Sequence, residues 1–222
     1  MIFQSKYELH KASVLDNVEI SPNTFILSFK RTFKFLPGQV LALTTDDKIS
    51  PRLYSIASGN SDRTIEILYD IKSEGVLTPK LSLLRREDKI LYSLPFGEFV
   101  DTNLPSHWIA AGTGIAPFVS MAKSGLAANK ILIHGARHKQ LFYFGSFFKD
   151  TLGDSYVQCC SQCDEEGDYF TDRLTSFLKQ ENDLSVNEKF YLCGSAEMVV
   201  DVRDILIEKG VPFNNIISEI YF

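Results

Sequence analysis

The sequence predicts a two-domain fold: an antiparallel six-stranded β-barrel, followed by an α/β domain with a doubly wound, parallel five-stranded sheet. A chain of 222 residues is long enough for two compact domains. Up to about residue 103 short β segments alternate with turn residues, whereas beyond it apolar strands alternate with longer helical patterns. We therefore predict domains at residues 1–103 and 104–222.

The barrel is predicted from six short strands separated by turn residues such as Pro37-Gly38. These strands are Ser13–Ile20, Thr24–Lys30, Gln39–Thr45, Arg52–Ser58, Thr64–Ile71 and Lys89–Leu94. Within this half, only Gly75–Leu84 has a helical pattern.

The second domain is predicted from five apolar strands that alternate with helices, as in a parallel sheet wound on both faces. The strands are His107–Ala111, Lys130–Gly135, Tyr156–Cys160, Lys189–Cys193 and Asn215–Glu219. The helices are Ile115–Ala127, Gln140–Asp150, Thr171–Gln180 and Ala196–Lys209.

The composition excludes several classes of protein. With 45% hydrophobic and 23% charged residues, the chain is an ordinary globular protein rather than a disordered or fibrous one. A net charge of −5 argues against binding to the phosphates of nucleic acid. Charged residues interrupt the first thirty positions, and no apolar run reaches the roughly 18 residues of a membrane span. We expect a cytoplasmic protein without a membrane segment, and we favour a monomer.

The four cysteines, Cys159, Cys160, Cys163 and Cys193, are too sparse for a disulfide framework. Cys159 and Cys160 would point to opposite faces of a strand, and the spacing of plant-type iron–sulfur ligands is absent. We predict no metal site.

A glycine-rich turn opens the second domain, where a strand ending in Ala111 leads into Gly112, Thr113 and Gly114 and then a helix. Such a turn can present backbone N–H groups and the positive end of a helix dipole to a pyrophosphate. Taken alone, it is equally typical of a tight strand-to-helix turn without a ligand.

A second candidate segment, Arg52-Leu53-Tyr54-Ser55, lies on a predicted strand of the barrel. Arg52 and Tyr54 share one face by the two-residue period, and Ser55 points the other way. An arginine can bind phosphate, a tyrosine can stack on a flat heterocycle, and a serine can hydrogen-bond to a ring nitrogen. A surface strand with a half-buried tyrosine is the alternative.

Together these motifs resemble the ferredoxin–NADP⁺ reductase family, especially its compact bacterial members that reduce ferredoxin or flavodoxin. The resemblance implies that Arg52 binds the FAD pyrophosphate, that Tyr54 stacks on the isoalloxazine beside Leu53, and that Ser55 lies near flavin N5. Gly75-Val76-Leu77-Thr78 resembles the next FAD-binding segment. Thr113 is expected to contact FAD as well.

Two later motifs extend the resemblance. Cys193-Gly194 begins a C-G-x-x-x-M segment, which implies Cys193 beside the nicotinamide and Gly194 as a further NADP contact. Gly112, Thr113 and Gly114 match the family's nicotinamide-nucleotide turn and are expected to bind NADP. Glu219-Ile220-Tyr221-Phe222 is similar to the family's E-x-Y ending with an added aromatic. It implies Tyr221 on the second flavin face and Phe222 next to it, with Glu219 as a proton relay or as a group that tunes the flavin semiquinone. Ser55, Cys193 and Glu219 are the predicted catalytic residues.

The choice between NADP and NAD depends on cations near the ribose 2′ position. Arg137 resembles a 2′-phosphate ligand of the family, and Arg173 is a second candidate. Gln162 stands where the family often has an arginine. We predict NADP(H) as co-substrate, with NAD as the alternative.

The resemblance implies a flavoprotein that transfers hydride between NADP(H) and FAD and single electrons between FAD and ferredoxin or flavodoxin. Lys72, Lys80, Arg85, Arg86 and Lys89 form a basic group suited to an acidic carrier. An NAD(P)H:flavin reductase or the reductase subunit of an oxygenase is the alternative enzyme. A non-catalytic nucleotide-binding subunit is the alternative of a different class.

Overall fold

The computed structural model describes residues 7–163 and 167–221, with only the backbone of Tyr221. Its strands are β1 (His10–Ser21), β2 (Thr24–Lys30), β3 (Val40–Thr44), β4 (Arg52–Ser55), β5 (Thr64–Asp70), β6 (Lys89–Tyr92), β7 (Ser106–Ala111), β8 (Lys130–Ala136), β9 (Tyr156–Cys160), β10 (Lys189–Ser195) and β11 (Ile216–Tyr221). Its helices are α1 (Thr78–Ser82), α2 (Ala116–Lys123), α3 (Gly145–Leu152), α4 (Leu174–Gln180) and α5 (Ala196–Glu208).

The first half forms an antiparallel six-stranded sheet in the order β4-β3-β6-β1-β2-β5. The sheet curls until its two edges meet. Ile56, which follows β4, forms a bridge with Ile67 of β5, and Ala57 N donates to Glu66 O at 2.8 Å. The edge of β4 beyond this contact is not paired with another described strand. The predicted six-stranded barrel architecture is confirmed.

Alternating apolar side chains of these strands fill the inside of the curled sheet. Phe29, Leu41 and Ile65 are fully buried there. Tyr92 adds tilted ring contacts to Phe29 and Phe33, with centroids 4.9 and 5.6 Å apart. The core of this unit is therefore aromatic as well as aliphatic.

The helix predicted over Gly75–Leu84 is shorter in the structure, where α1 has one and a half turns. Pro79 fits its first turn because a missing N–H costs nothing there. Asn17 of β1 holds the other end, since its Nδ2 donates to Leu81 O at 2.9 Å and Leu84 O at 3.1 Å. Carbonyls that a longer helix would have paired are thus satisfied by one side chain.

The second half forms a parallel five-stranded sheet in the order β11-β10-β7-β8-β9, which confirms the predicted α/β architecture. Helices α4 and α5 cover one face, where Leu178 and Val202 pack in a cluster with Ile133. Tyr156 is the register partner of Leu132 and therefore faces the other way, against Phe148 of α3. The sheet is wound on both faces.

Three helices begin later than predicted: those predicted from Ile115, Gln140 and Thr171 begin at Ala116, Gly145 and Leu174. The helix predicted from Ile115 is preceded by a 3-10 turn over Gly112–Ile115, which runs directly into α2. The helix predicted from Gln140 begins five residues later, because Phe144 has a left-handed backbone with φ 57°. A hydrophobic periodicity does not reveal such local backbone reversals.

The chain folds into two compact units whose limits do not follow the order of the sequence. The first contains the residues up to Val100 together with Ala116–Ser124, and the second contains Asp101–Ile115 and the residues from Gly125. Helix α2 thus belongs with the curled sheet, where Ser120 Oγ donates to Ser58 O at 2.7 Å and Lys123 Nζ pairs with Glu66 at 2.8 Å. The boundary at residues 103/104 stays a prediction.

A buried ion pair lies at the amino ends of β7 and β8. Lys130 Nζ is 2.9 Å from Asp101 Oδ2, and both side chains are almost completely buried. Lys130 also donates to Thr102 O at 2.7 Å and Leu104 O at 2.6 Å, so all three ammonium protons have acceptors. Asp101 Oδ2 accepts in addition from Ser106 Oγ at 2.7 Å and Trp108 Nε1 at 2.6 Å.

No helix in residues 7–163 and 167–221 combines the length and the apolar character that a membrane span requires.

We expect Lys130→Met to lower the free energy of unfolding by about 3–5 kcal/mol, because it leaves the Asp101 carboxylate buried without its counter-charge. Urea denaturation at neutral pH measures the change. Lys189→Met is the matched control, since Lys189 also begins a strand of this sheet but is exposed. Equal effects of the two substitutions would contradict a special role for the buried pair.

Candidate functional site

Strand β4 presents the first group of predicted site residues on the edge of the curled sheet. Arg52 and Leu53 are exposed, Tyr54 is half-buried and Ser55 is buried at 2% exposure. In the register with β3, Tyr54 lies opposite Leu41 and Ser55 opposite Val40. The strand therefore holds a guanidinium, an aromatic ring and a hydroxyl on four successive residues, and its outer edge is paired with no other described strand.

The ring of Tyr54 is fixed by an aromatic neighbour. Tyr69 of β5 meets it edge to face, with centroids 6.4 Å apart and planes at 76°. Tyr69 is itself stacked on Phe25 at 5.5 Å, and its hydroxyl donates to Asn17 Oδ1 at 3.1 Å. Burial raises the pKa of Tyr54, and the neighbouring Tyr69 raises it further, so Tyr54 stays a neutral phenol.

The segment Gly75-Val76-Leu77-Thr78 leads into α1. Val76 is 65% exposed, whereas Leu77 is buried in the core of the first unit. Thr78 Oγ1 accepts from Lys72 N at 2.8 Å, so its hydroxyl closes the preceding turn within the protein. The same Asn17 that binds Tyr69 also anchors α1, which links this segment to Tyr54 through a chain of contacts.

The glycine-rich turn lies at the carboxyl end of β7. Gly112 has φ +58°, a left-handed conformation that favours glycine, and a Cβ on it would meet open space. Gly114 is buried, and a Cβ there would overlap the carbonyl group of Cys193 on β10. Thr113 between them is half-buried. One glycine thus allows the turn, and the other allows its close packing on the neighbouring strand.

The end of β10 brings Cys193 and Glu219 together. Cys193 is fully buried and lies in register between Ala110 of β7 and Glu219 of β11. Gly194 follows it, and Ser195 caps α5 by accepting a hydrogen bond from Met198 N at 3.3 Å. The side chain of Tyr221 and all of Phe222 lie outside the described residues.

The predicted 2′-phosphate ligands follow the ends of β8 and β9. Arg137 is exposed, and its carbonyl accepts from Gln162 N at 2.9 Å, which brings the two loops together. Arg173 is also exposed and lies just before α4. Three residues earlier, the carbonyl of Phe170 accepts a hydrogen bond from Cys160 N at 2.8 Å. Both arginines therefore lie on segments tied to the end of β9.

Sequence reasoning missed one feature of this region: Cys160 and Cys163 form a disulfide, with Cα atoms 5.7 Å apart. A C-x-x-C spacing was the available signal. Cys159 is buried and unpaired, and burial raises the pKa of its thiol to about 12. Within the described residues, no group of acidic, histidine or cysteine side chains has a geometry that could hold a metal ion.

Sequence reasoning also missed a groove of about 390 Å³ in the second unit, beside β9 and the start of α3. Its lining includes Lys139, Lys149, Gln158 and Tyr169, and none of the predicted site residues. Lys139 lies over the ring of Tyr169, 5.4 Å from its centroid.

Part of the chain matches a known protein family. Residues 108–204 match the oxidoreductase NAD-binding domain family. This range contains the glycine-rich turn, Arg137, Arg173, Cys193 and Gly194. The match agrees with the predicted oxidoreductase class.

Two curated relatives match nearly the whole chain. The flavodoxin/ferredoxin–NADP reductase of Buchnera aphidicola is 27% identical over 226 residues, which cover 91% of this chain and 86% of the relative. The toluate 1,2-dioxygenase electron transfer component of Pseudomonas putida is 27% identical over 228 residues, covering 95% of this chain and 67% of the relative. The chain spans only 31% and 52% of the length of two other relatives that it matches.

Among solved structures, a ferredoxin–NADP⁺ reductase of Neisseria gonorrhoeae with bound FAD and NADP has the same fold. The TM-score is 0.88 at 20% identity, and the similarity covers 98% of this chain and 100% of that one. The curled antiparallel sheet and the parallel sheet described above are both part of the shared fold.

We expect Gly114→Ala to lower the free energy of unfolding by about 1–3 kcal/mol, because the added methyl group would collide with the backbone of Cys193. Urea denaturation followed by circular dichroism measures this. Gly145→Ala is the control, since a Cβ at Gly145 would have ordinary contacts from 3.4 Å. Unchanged stability of Gly114→Ala would show that the turn does not need this close approach.

Proposed function

We propose that the chain is a flavoprotein oxidoreductase that uses FAD and NADP(H). The proposal is supported by the match of residues 108–204 to the oxidoreductase NAD-binding domain family and by the similarity to a flavodoxin/ferredoxin–NADP reductase. In this proposal hydride passes between NADP(H) and FAD, and single electrons pass between FAD and ferredoxin or flavodoxin. The redox chemistry is supplied by the flavin, whereas the protein binds and aligns the reactants.

The observation that carries the proposal is the packing of the Gly112–Gly114 turn on the end of β10. Three strand ends, those of β7, β10 and β11, place this turn, Cys193 and Glu219 at one edge of the parallel sheet. Ligands of open α/β sheets bind at the carboxyl ends of the strands. The open space next to Gly112 supports the approach of a phosphate to the backbone of the turn.

The donor set of β4 fits a flavin nucleotide. Arg52 offers an exposed guanidinium for a pyrophosphate, and Tyr54 offers a neutral ring whose orientation Tyr69 fixes. The free edge of β4 supports access to both residues. The rest of the FAD-binding surface would come from Leu53 and from the segment Gly75-Val76-Leu77-Thr78. These residues would make apolar and backbone contacts. The Thr78 hydroxyl itself already accepts a hydrogen bond from Lys72 N.

In the proposed mechanism the residues of the chain orient the two rings. Ser55 would hold flavin N5 by a hydrogen bond, and Cys193 would guide the nicotinamide, because small misplacements of reacting groups are costly. Glu219, adjacent to Cys193 in register, would hold or release a proton at its carboxylate. Tyr221 and Phe222 would cover the flavin face that the nicotinamide needs and would move aside for transfer.

The proposed preference for NADP is supported by charge. Arg137 and Arg173 are exposed on segments that meet at the end of β9, and an arginine can form two parallel hydrogen bonds to a phosphate. NAD remains the alternative nucleotide because Gln162, which donates its backbone N–H to Arg137 O, brings no positive charge.

A reductase component of an oxygenase is the second candidate, and the similarity to the toluate dioxygenase component along 95% of the chain favours it. The two candidates share the nucleotide chemistry and differ in the electron acceptor.

The experiment that tests the proposal is an absorption spectrum of the purified protein, followed by anaerobic titration with NADPH and, separately, NADH. We expect a yellow protein that NADPH bleaches at much lower concentration than NADH. A protein that stays colourless after addition of FAD and removal of unbound FAD would contradict the proposal.

We expect Ser55→Ala to slow flavin reduction by NADPH by about 10- to 100-fold while FAD stays bound, because a positioned hydrogen bond is lost. Stopped-flow absorbance measures the rate. Ser58→Ala is the control, since the Ser58 hydroxyl accepts from Glu66 N within the sheet. A rate equal to that of the unsubstituted protein would remove Ser55 from the mechanism.

The carrier is proposed to dock near the basic residues within and after α1. Lys80, Arg85, Arg86 and Lys89 are all exposed. We expect the double substitution Arg85→Glu and Arg86→Glu to raise the KM for ferredoxin or flavodoxin while leaving dye reduction unchanged, because charge complementarity governs encounter. Steady-state assays with carrier and with dye measure both. Arg203→Glu on α5 is the control, and equal losses with carrier and dye would contradict docking here.

A further inference from the structure

The disulfide between Cys160 and Cys163 lies in the loop that reaches the predicted 2′-phosphate ligand. Cys160 is the last residue of β9 and fully buried, whereas Cys163 is partly exposed. The two residues enclose Ser161 and Gln162 in a closed four-residue turn. The mechanism proposed above gives this pair no role.

The enclosed turn is hydrogen-bonded to the loop that contains Arg137. Ser161 N donates to Ala136 O at 3.0 Å and Gln162 N donates to Arg137 O at 2.9 Å. A ring nitrogen of His138 lies 3.2 Å from Gln162 O. The backbone on both sides of Arg137 is therefore positioned by the turn that the disulfide closes.

The geometry also suits the reduced form of the pair. Cys160 Sγ lies 3.4 Å from Arg137 O, a distance at which a thiol S–H can donate to a carbonyl. The disulfide has no such proton. Each redox state thus has its own contact with Arg137, a covalently closed turn in one and a thiol hydrogen bond in the other.

We infer that Cys160 and Cys163 are a redox modification site at which small thiols and disulfides act, and that its state sets the affinity of the second unit for the 2′-phosphate of NADP(H). This inference rests on the proposed function. The closed turn holds Arg137 for the phosphate, and opening it removes that constraint. The oxidised protein therefore binds the 2′-phosphate more tightly.

The chemistry is a two-step thiol–disulfide exchange. A small thiolate attacks the accessible Sγ of Cys163, the bond between the cysteines breaks, and Cys160 leaves as a thiolate that takes up a proton. A second small thiol then attacks the mixed disulfide and releases Cys163 as a thiol together with the small-molecule disulfide. Two electrons and two protons pass from the small thiols to the pair, and a small disulfide reverses the reaction.

The experiment compares the flavin-loaded protein in its disulfide and dithiol states, each verified by thiol alkylation and mass spectrometry. Calorimetry with 2′,5′-ADP and, as the control ligand without a 2′-phosphate, 5′-ADP measures affinity. We expect reduction to weaken 2′,5′-ADP binding by about tenfold, within the usual range of coupling between sites, and 5′-ADP binding by less than about twofold.

Linkage provides a second readout that needs no turnover. If the disulfide form binds 2′,5′-ADP ten times more tightly than the dithiol form, saturating 2′,5′-ADP must shift the redox equilibrium of the cysteine pair tenfold toward the disulfide. For this two-electron couple, a tenfold preference of the nucleotide for the disulfide form lowers the midpoint potential of the cysteine pair by about 30 mV. Titration in glutathione redox buffers measures that shift.

Two variants complete the test. Cys163→Ser keeps the buried Cys160 thiol but cannot form the bridge, so its affinity for 2′,5′-ADP should equal that of the reduced protein under all conditions. Cys159→Ala is the matched control, because the adjacent buried cysteine is not bridged, and it should keep the full redox response.

Equal affinity of both states for 2′,5′-ADP, or failure of glutathione disulfide to form the bridge, would overturn the inference. Either result would leave flavin reduction by NADPH intact, whereas failure of the proposed function would appear as no flavin reduction in either redox state.

Discussion

The parallel sheet depends on one buried charge, the ammonium group of Lys130. Transfer of a charge from water into a protein interior is expensive, and it is tolerated only where every donor and acceptor has a partner. Here Asp101 and the carbonyls of Thr102 and Leu104 provide the three acceptors. Because Lys130 and Ser106 are register partners and Asp101 also binds Ser106, the network fixes the pairing of β7 with β8. The carboxyl ends of the same strands lead into the glycine-rich turn and the loop of Arg137.

At those carboxyl ends the backbone determines the arrangement more than the side chains do. Gly114 lets the turn pack against Cys193, and the Gln162 N–H fixes the carbonyl of Arg137. The side chains expected to contact ligands, Thr113 and the two arginines, are added to a backbone that is already positioned. In the first unit, Asn17 has the comparable role, since one amide binds both α1 and the hydroxyl of Tyr69.

Much of the fold could be predicted from the sequence because each unit has one clear periodicity. Strands such as Thr24–Lys30 and Tyr156–Cys160 have the predicted bounds, since turn residues and charged residues delimit their apolar patterns. The candidate site could be located to strand ends for the same reason. Contacts between distant residues could not be predicted. The anchoring of α1 by Asn17 joins positions 64 residues apart, and the left-handed Phe144 gives no compositional signal.

Helix α2 has a consequence for the separation of the two units. The chain passes from the first unit to the second after Val100, returns for Ala116–Ser124, and passes to the second again. Residues 116–122 are all buried, and Ser120 and Lys123 bond to Ser58 and Glu66 of the first unit. A fragment that ends near residue 103 would therefore expose apolar surface and leave Glu66 without its lysine. Recombination between relatives would have to exchange α2 together with the curled sheet, although the sequence of this helix directly continues the glycine-rich turn.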